Sequence, residues 1–149
     1  MNSLRPILLV EDNINDVELT LAALQNNNVA NQVIIARHGG EALDYLYRRG
    51  NHEKRPEGNP VVVFLDLKMP KVDGLEVLRQ MKNDDSLKMI PVVMLTSSRE
   101  EADLIKSYKF GVNAYVVKPV GFEQFTEAIR QLGIFWAVLN EPPPSGTAK

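Results

Sequence analysis

Val61-Val62-Val63-Phe64-Leu65-Asp66-Leu67-Lys68-Met69-Pro70 is the stretch whose reading decides the fold. Its first five residues are apolar and mostly β-branched or aromatic, which predicts a short strand buried on both faces. Such a strand ordinarily ends in something apolar or in a turn residue. This one delivers a carboxylate, Asp66, at its C-terminal end, and Pro70 and Asp73-Gly74 supply turn chemistry soon after. Ligands of open α/β sheets bind outside the carboxyl ends of the strands. A lone strand-end Asp is equally well a helix cap or a turn former. Asp66 gains meaning because three other strands also end in polar groups.

The flanking sequence alternates strand and helix patterns. Ile7-Leu8-Leu9-Val10 reads as a buried strand ending at Glu11-Asp12. Asn13 is then an N-cap, with Asp16 completing a weak capping box. Ile14, Val17, Leu21 and Leu24 recur at helical spacing up to Asn26-Asn27-Asn28. Gln32–Ala36 is the second strand, Gly39-Gly40 breaks it, and Ala42, Leu43, Leu46 and Tyr47 line the second helix. Arg48–Asn59 is a polar surface loop. After the Asp66 strand a helix starts near Gly74, with Leu75, Leu78 and Met81 on one face. Pro91–Leu95 is the fourth strand, ending at Thr96-Ser97-Ser98, and a helix with Leu104, Ile105 and Tyr108 follows. Asn113–Val117 is the fifth strand, ending at Lys118-Pro119, and Phe122, Phe125, Ile129, Leu132 and Trp136 mark the last helix.

Five βα units in this rhythm predict an α/β fold, a doubly wound five-stranded parallel sheet of order 2-1-3-4-5 with helices on both faces. The 149 residues suit one domain, residues 1–140, followed by a Pro-rich tail over 141–149 that cannot pack a core. With 17 basic and 19 acidic residues the net charge is −2, which offers no footprint for direct DNA binding or for an anionic membrane. No cysteine is present, which excludes a disulfide framework, a thiolate zinc site and a thiol nucleophile. The N-terminus lacks a signal-peptide pattern and no apolar run reaches membrane-spanning length, so a cytoplasmic protein is expected.

The switch point of that strand order lies between the first and third strands, where Glu11, Asp12 and Asp66 would meet. Three carboxylates brought together repel one another unless a cation neutralises them. Oxygen-only ligands suit Mg²⁺ or Mn²⁺ rather than zinc. Thr96 would add a hydroxyl and Lys118 a fixed positive charge. Together these groups are complementary to a phosphoryl group carried on one carboxylate.

The constellation resembles the receiver domain of two-component response regulators, a flavodoxin-like (βα)5 fold. The matching residues are Glu11-Asp12, Asp66 within Asp66-Leu67-Lys68-Met69-Pro70-Lys71-Val72-Asp73-Gly74, Thr96-Ser97, and Tyr115 with Lys118-Pro119. Within that family the chain is similar to stand-alone phytochrome-associated regulators, with a long loop before the third strand, Phe135-Trp136 near the end of the last helix and a proline-rich tail. The resemblance implies that Asp66 is the phosphoacceptor for a sensor histidine kinase, here of the phytochrome photoreceptor type. It implies that Glu11, Asp12, Asp66 and the backbone carbonyl of Lys68 hold Mg²⁺ (or Mn²⁺), and that Lys118 and Thr96 contact the phosphoryl group. Thr96 and Tyr115 would form the switch, and the Lys118-Pro119 bond would be cis.

Lys68 and Ser98 sit two positions beyond Asp66 and Thr96 and cannot orient a hydrolytic water as an amide or carboxylate would, so autodephosphorylation is expected to be slow to moderate. Such a protein is a phosphoacceptor rather than an enzyme of the turnover kind. A single receiver domain is expected to pass its message through a surface, the face carrying Tyr108, Phe110, Tyr115 and Phe122. Ile134–Leu139, apolar on nearly all sides, predicts a homodimer or partner contact. His38 and His52 read as isolated surface residues. Two rivals remain: a flavodoxin-like binding module or pseudo-receiver that signals without phosphotransfer, and a phosphoester hydrolase. The hydrolase is disfavoured by Lys68, which stands where such enzymes place a general acid.

Overall fold

The apolar runs become strands that pair edge to edge. The computed structural model describes residues 5–26, 31–69, 71–97, 114–118 and 121–132. Strands β1 (Ile7–Val10), β2 (Val33–Ala36), β3 (Val62–Asp66), β4 (Val92–Thr96) and β5 (Ala114–Val117) form one parallel sheet in the order β2-β1-β3-β4-β5. This is the doubly wound order expected from the sequence. The helices are α1 (Ile14–Asn26), α2 (Gly39–Tyr47), α3 (Gly74–Lys82) and α4 (Phe122–Leu132). The helix expected around Leu104, Ile105 and Tyr108 lies outside the described residues, as do Pro119, Ile134–Leu139 and the proline-rich tail.

Side chains alternate across the pleat and build two core layers. Ile7, Leu9, Phe64, Val93 and Leu95 face one way, onto Val17 and Leu24 of α1 and Ala128 of α4. Leu8, Val10, Val63, Leu65 and Met94 face the other, onto Leu43 and Leu46 of α2 and Val77, Leu78 and Met81 of α3. Each large side chain buried here contributes roughly 1.5–3 kcal/mol, so the sheet is the rigid element from which the strand ends project.

Register aligns those ends. Val10 pairs with Leu65, which brings Glu11 level with Asp66. Asp66 pairs with Leu95, and Thr96 with Val117, so Thr96 and Lys118 follow one step further along.

Helix entries differ in part from the sequence reading. Asn13 caps α1 as expected, its Oδ1 accepting from the amides of Asn15 at 2.9 Å and Asp16 at 3.1 Å. The capping box does not close, because the Asn13 N–H donates to Glu11 Oε2 at 3.1 Å and the Asp16 carboxylate turns to Lys118. Neither histidine is isolated. His38 caps α2, its Nδ1 accepting from Glu41 N at 3.1 Å. His52 lies edge-on to Tyr45, ring centroids 5.3 Å apart, with Nε2 3.5 Å from Glu41.

The polar stretch after α2 is a surface loop with a 3-10 turn at Gly50–His52. Arg55 organises it. Its guanidinium lies 4.2 Å from the Tyr45 ring centroid and donates to the carbonyls of Tyr45 at 2.7 Å and Gly58 at 2.9 Å. A cation stacked on an aromatic face and bonded to carbonyls at a helix C-terminus is favoured by both contacts.

Candidate functional site

β1 ends on a fully buried carboxylate. The Glu11 amide donates to Ala36 O at 2.9 Å, so the residue continues the strand direction before the chain turns, and its side chain is 0% exposed. Asp12, the next residue, is exposed, and Arg37 Nη2 donates to its backbone carbonyl at 3.0 Å. Asp66 is the last residue of β3 and is buried. One carboxylate oxygen from each of Glu11, Asp12 and Asp66 lies within 4.8 Å of the others.

The chain leaves β3 through a tight link. The Gly74 amide donates to Leu67 O at 2.8 Å, and α3 starts against the end of the strand. Asp73 caps that helix, its Oδ1 accepting from Glu76 N at 3.0 Å. Thr96, at the end of β4, is fully buried. Its carbonyl accepts from the Lys118 amide at 2.7 Å, which fixes the start of the segment after β5.

The Lys118 side chain spans the site. Nζ donates to Glu11 Oε1 at 3.1 Å and to Asp16 Oδ2 at 2.9 Å, and lies 3.0 Å from Asp66 Oδ1. Burial opposes the charge on Lys118, but hydrogen bonds to Asp16 and Asp66 and the charges of Asp66 and Glu11 hold its pKa above the ordinary lysine value. Burial, and then the neighbouring Asp66, pushes the Glu11 carboxyl up to about 7, although the Asn13 amide and Lys118 pull the other way. Burial also raises Asp66, against the opposing pull of Lys118. Burial, more than charge repulsion, therefore sets both shifts, and Lys118 opposes it.

The structure brings together Glu11, Asp12, Asp66 and Lys118, and it sets Thr96 at the adjoining strand end. Tyr115 is half-buried, opposite Met94 in the register, and packs against the core layer of α2 and α3. Burial raises its phenol pKa. The Lys68 side chain is exposed two residues past Asp66. Ser98 of the hydrolytic-water expectation and Pro119 of the cis-peptide expectation lie outside the described residues. The residue that sequence reading missed is Asp16. Its signal was its place in the first turn of α1, one helical turn after Asp12, but a capping reading absorbed it.

Three carboxylates in this arrangement offer hard oxygen donors of the kind that hold Mg²⁺ or Mn²⁺. The profile of the response regulator receiver domain matches residues 7–130. The chain is 62% identical to the bacteriophytochrome response regulator RtBRR, with a TM-score of 0.89 over 98% of this chain and 89% of that one. It is 39% identical to the phosphorylated cyanobacterial phytochrome response regulator RcpA, with a TM-score of 0.73 over 90% of this chain and 94% of that one. It is 38% identical to response regulator Rcp1 of Synechocystis sp. over 135 residues, 91% of this chain and 90% of Rcp1. The Mn²⁺-bound form of Rcp1 has a TM-score of 0.72 over 89% of this chain and 94% of that one. Among the described residues, no helix is long and apolar enough to cross a membrane. Because the profile runs from the first strand of the sheet into its last helix, the chain belongs to the response regulator receiver domain family of two-component signalling, with a histidine kinase as the implied partner.

Proposed function

We propose that this response regulator accepts a phosphoryl group from the phosphohistidine of a sensor kinase onto Asp66, with Mg²⁺, and that the resulting change of packing alters a partner or dimer surface. The observation that carries the reading is the Lys118 ammonium 3.0 Å from the Asp66 carboxylate, beside the Glu11–Asp12 pair. The donor set fits a divalent cation: oxygen ligands only, one of them on a residue exposed to solvent, all within 4.8 Å of one another. Glu11, Asp12, Asp66 and the Lys68 backbone carbonyl would hold it. When bound, such a cation offsets negative charge on the transferring phosphoryl oxygens.

In the transfer, an Asp66 carboxylate oxygen forms a bond to phosphorus while the bond from phosphorus to the kinase imidazole nitrogen breaks. The electron pair of that bond stays with the imidazole. Lys118 holds Asp66 in place and meets charge on the phosphoryl oxygens, and the Thr96 hydroxyl donates to one of them. Positioning and neutralisation are what this reaction needs from a protein. The likeness to a phosphorylated phytochrome regulator and to a Mn²⁺-bound one supports both the chemistry and a phytochrome-type kinase.

The same proposal includes a single receiver domain over 1–140, a cytoplasmic setting and a homodimer through Ile134–Leu139, each of which rests on sequence.

The test is intact-protein mass spectrometry after incubation with acetyl phosphate and Mg²⁺. One added phosphoryl group is expected, absent without metal and absent in Asp66→Asn. Failure of the folded wild type to gain that mass or to bind beryllofluoride would make it a pseudo-receiver.

The switch has its own test. Phosphoryl oxygens that draw Thr96 inward vacate space that Tyr115 can enter, so phosphorylation stabilises one of two packings. Tyr115→Ala should take up phosphoryl groups within about twofold of wild type, because Tyr115 lies off the acidic cluster. Its backbone amide NMR shifts on adding beryllofluoride should then stay confined to the site. Shifts spreading as far as in wild type would remove Tyr115 from the switch.

A further inference from the structure

Three acidic side chains meet at Lys118, and only two of them belong to the carboxylate trio. The third, Asp16, comes from α1. An ammonium has three donors; here it donates to Glu11 at 3.1 Å and Asp16 at 2.9 Å, and it forms an ion pair with Asp66 at 3.0 Å. A phosphoryl group on Asp66 requires one of those donors to turn to a phosphoryl oxygen. A cation held by the trio draws on Glu11 and Asp66. Asp16 alone among the three acceptors is committed to neither.

From this we infer that Asp16 is a positioning residue: it tethers the Lys118 ammonium to α1 so that the charge paired with Asp66 stays aimed at the phosphoryl group. The inference rests on the phosphoacceptor reading above. The tether is stiff at both ends. At one end, Asn13 Oδ1 caps the first turn of α1 by accepting from Asn15 and Asp16 amides. At the other, the Lys118 amide is bonded to Thr96 O at 2.7 Å. Among the described residues, Glu11 just after β1, Asp66 of β3 and Asp16 of α1 are the acidic groups paired with the ammonium. Without Asp16, the flexible four-carbon stem of Lys118 would be held only by groups the reaction itself recruits. Misplacement of a positioned charge by about 1 Å costs up to about 100-fold in rate.

Asp16→Asn and Asp16→Glu are compared with wild type in acetyl phosphate uptake at saturating Mg²⁺, in the Mg²⁺ concentration for half-saturation, and in the NMR signal of the Lys118 ε-ammonium without metal. Asp16→Asn is expected to lower the uptake rate about tenfold, to move the Lys118 signal, and to leave the Mg²⁺ midpoint within about threefold of wild type. Asp16→Glu, which keeps the charge, should recover most of the rate. Uptake by Asp16→Asn at the wild-type rate, an unmoved Lys118 signal, or a rate lost in proportion to Mg²⁺ affinity would overturn the positioning role. A wild type that takes up no phosphoryl group would overturn the proposed function and this role with it, and only that result reaches the function.

Discussion

Gly74→Val is expected to leave little folded protein. A Cβ at position 74 would stand 2.2 Å from the Asp66 carbonyl oxygen and 3.0 Å from both the Asp66 carbonyl carbon and Leu67 Cα. Those atoms are backbone at the end of a central strand. Asp66 is register-paired with Leu95, and the Gly74 amide is itself bonded to Leu67 O at 2.8 Å. No side-chain rotation relieves the contact, so either α3 or the end of β3 must move. Backbone displacement of this kind belongs to the rare class of substitutions costing about 4 kcal/mol or more, against a total stability of about 5–15 kcal/mol. Gly121→Ala is the control: its nearest contact is the Gln124 amide oxygen at 2.7 Å, the end of a flexible side chain. It should cost no more than about 1 kcal/mol. Urea unfolding of the two variants checks this, and a Gly74→Val midpoint close to that of Gly121→Ala would refute it.

Glu11→Gln is expected to do the opposite and stabilise the metal-free protein at pH 8. Burial raises the Glu11 carboxyl from 4.5 to about 7 on folding, so the folded chain binds a proton that the unfolded chain has released. Stability from this group is fully present below pH 4.5 and is lost as the pH rises to about 7. Asp66, also raised by burial, works in the same direction. Each pKa unit corresponds to about 1.4 kcal/mol. Part of the gain is offset because Gln cannot accept from both the Asn13 amide and Lys118 through carboxylate oxygens. The net effect should be on the order of 2 kcal/mol at pH 8 and near zero at pH 4. Thermal unfolding of both proteins across that range checks the sign. On the proposed metal reading, Mg²⁺ at pH 8 raises the wild type by mass action and closes the gap. A variant less stable than wild type at pH 8 without metal would show that the Asn13 amide and Lys118 outweigh the burial of the Glu11 charge.

These two residues illustrate how unevenly the site could be read in advance. Glu11 and Asp66 stood out because carboxylates ending apolar strands break the expected pattern. Gly74 was visible as turn chemistry beside Asp73 and as the start of a helix. Its close approach to the Asp66 carbonyl depends on how α3 packs. The capping box at Asn13 and Asp16 failed for a similar reason: a local rule saw a neighbour three residues away, while a lysine 102 positions later offered a stronger charged partner. His38 and His52 carried no periodic signal, since a cap and an edge-on ring contact are set by one backbone turn and one loop path.

By itself the sequence determined the alternation of buried strands and amphipathic helices, from which the doubly wound order is expected, and the polar residues at four of the five strand ends. Those follow from local rules, period two or 3.6 and apolar runs of strand length, which need no knowledge of distant contacts. Only the tertiary structure decided which carboxylates share Lys118, how far burial raises Glu11, and how Arg55 closes the loop over Tyr45. Desolvation and ion pairing depend on what surrounds a group in space, and residues remote in the chain supply those surroundings.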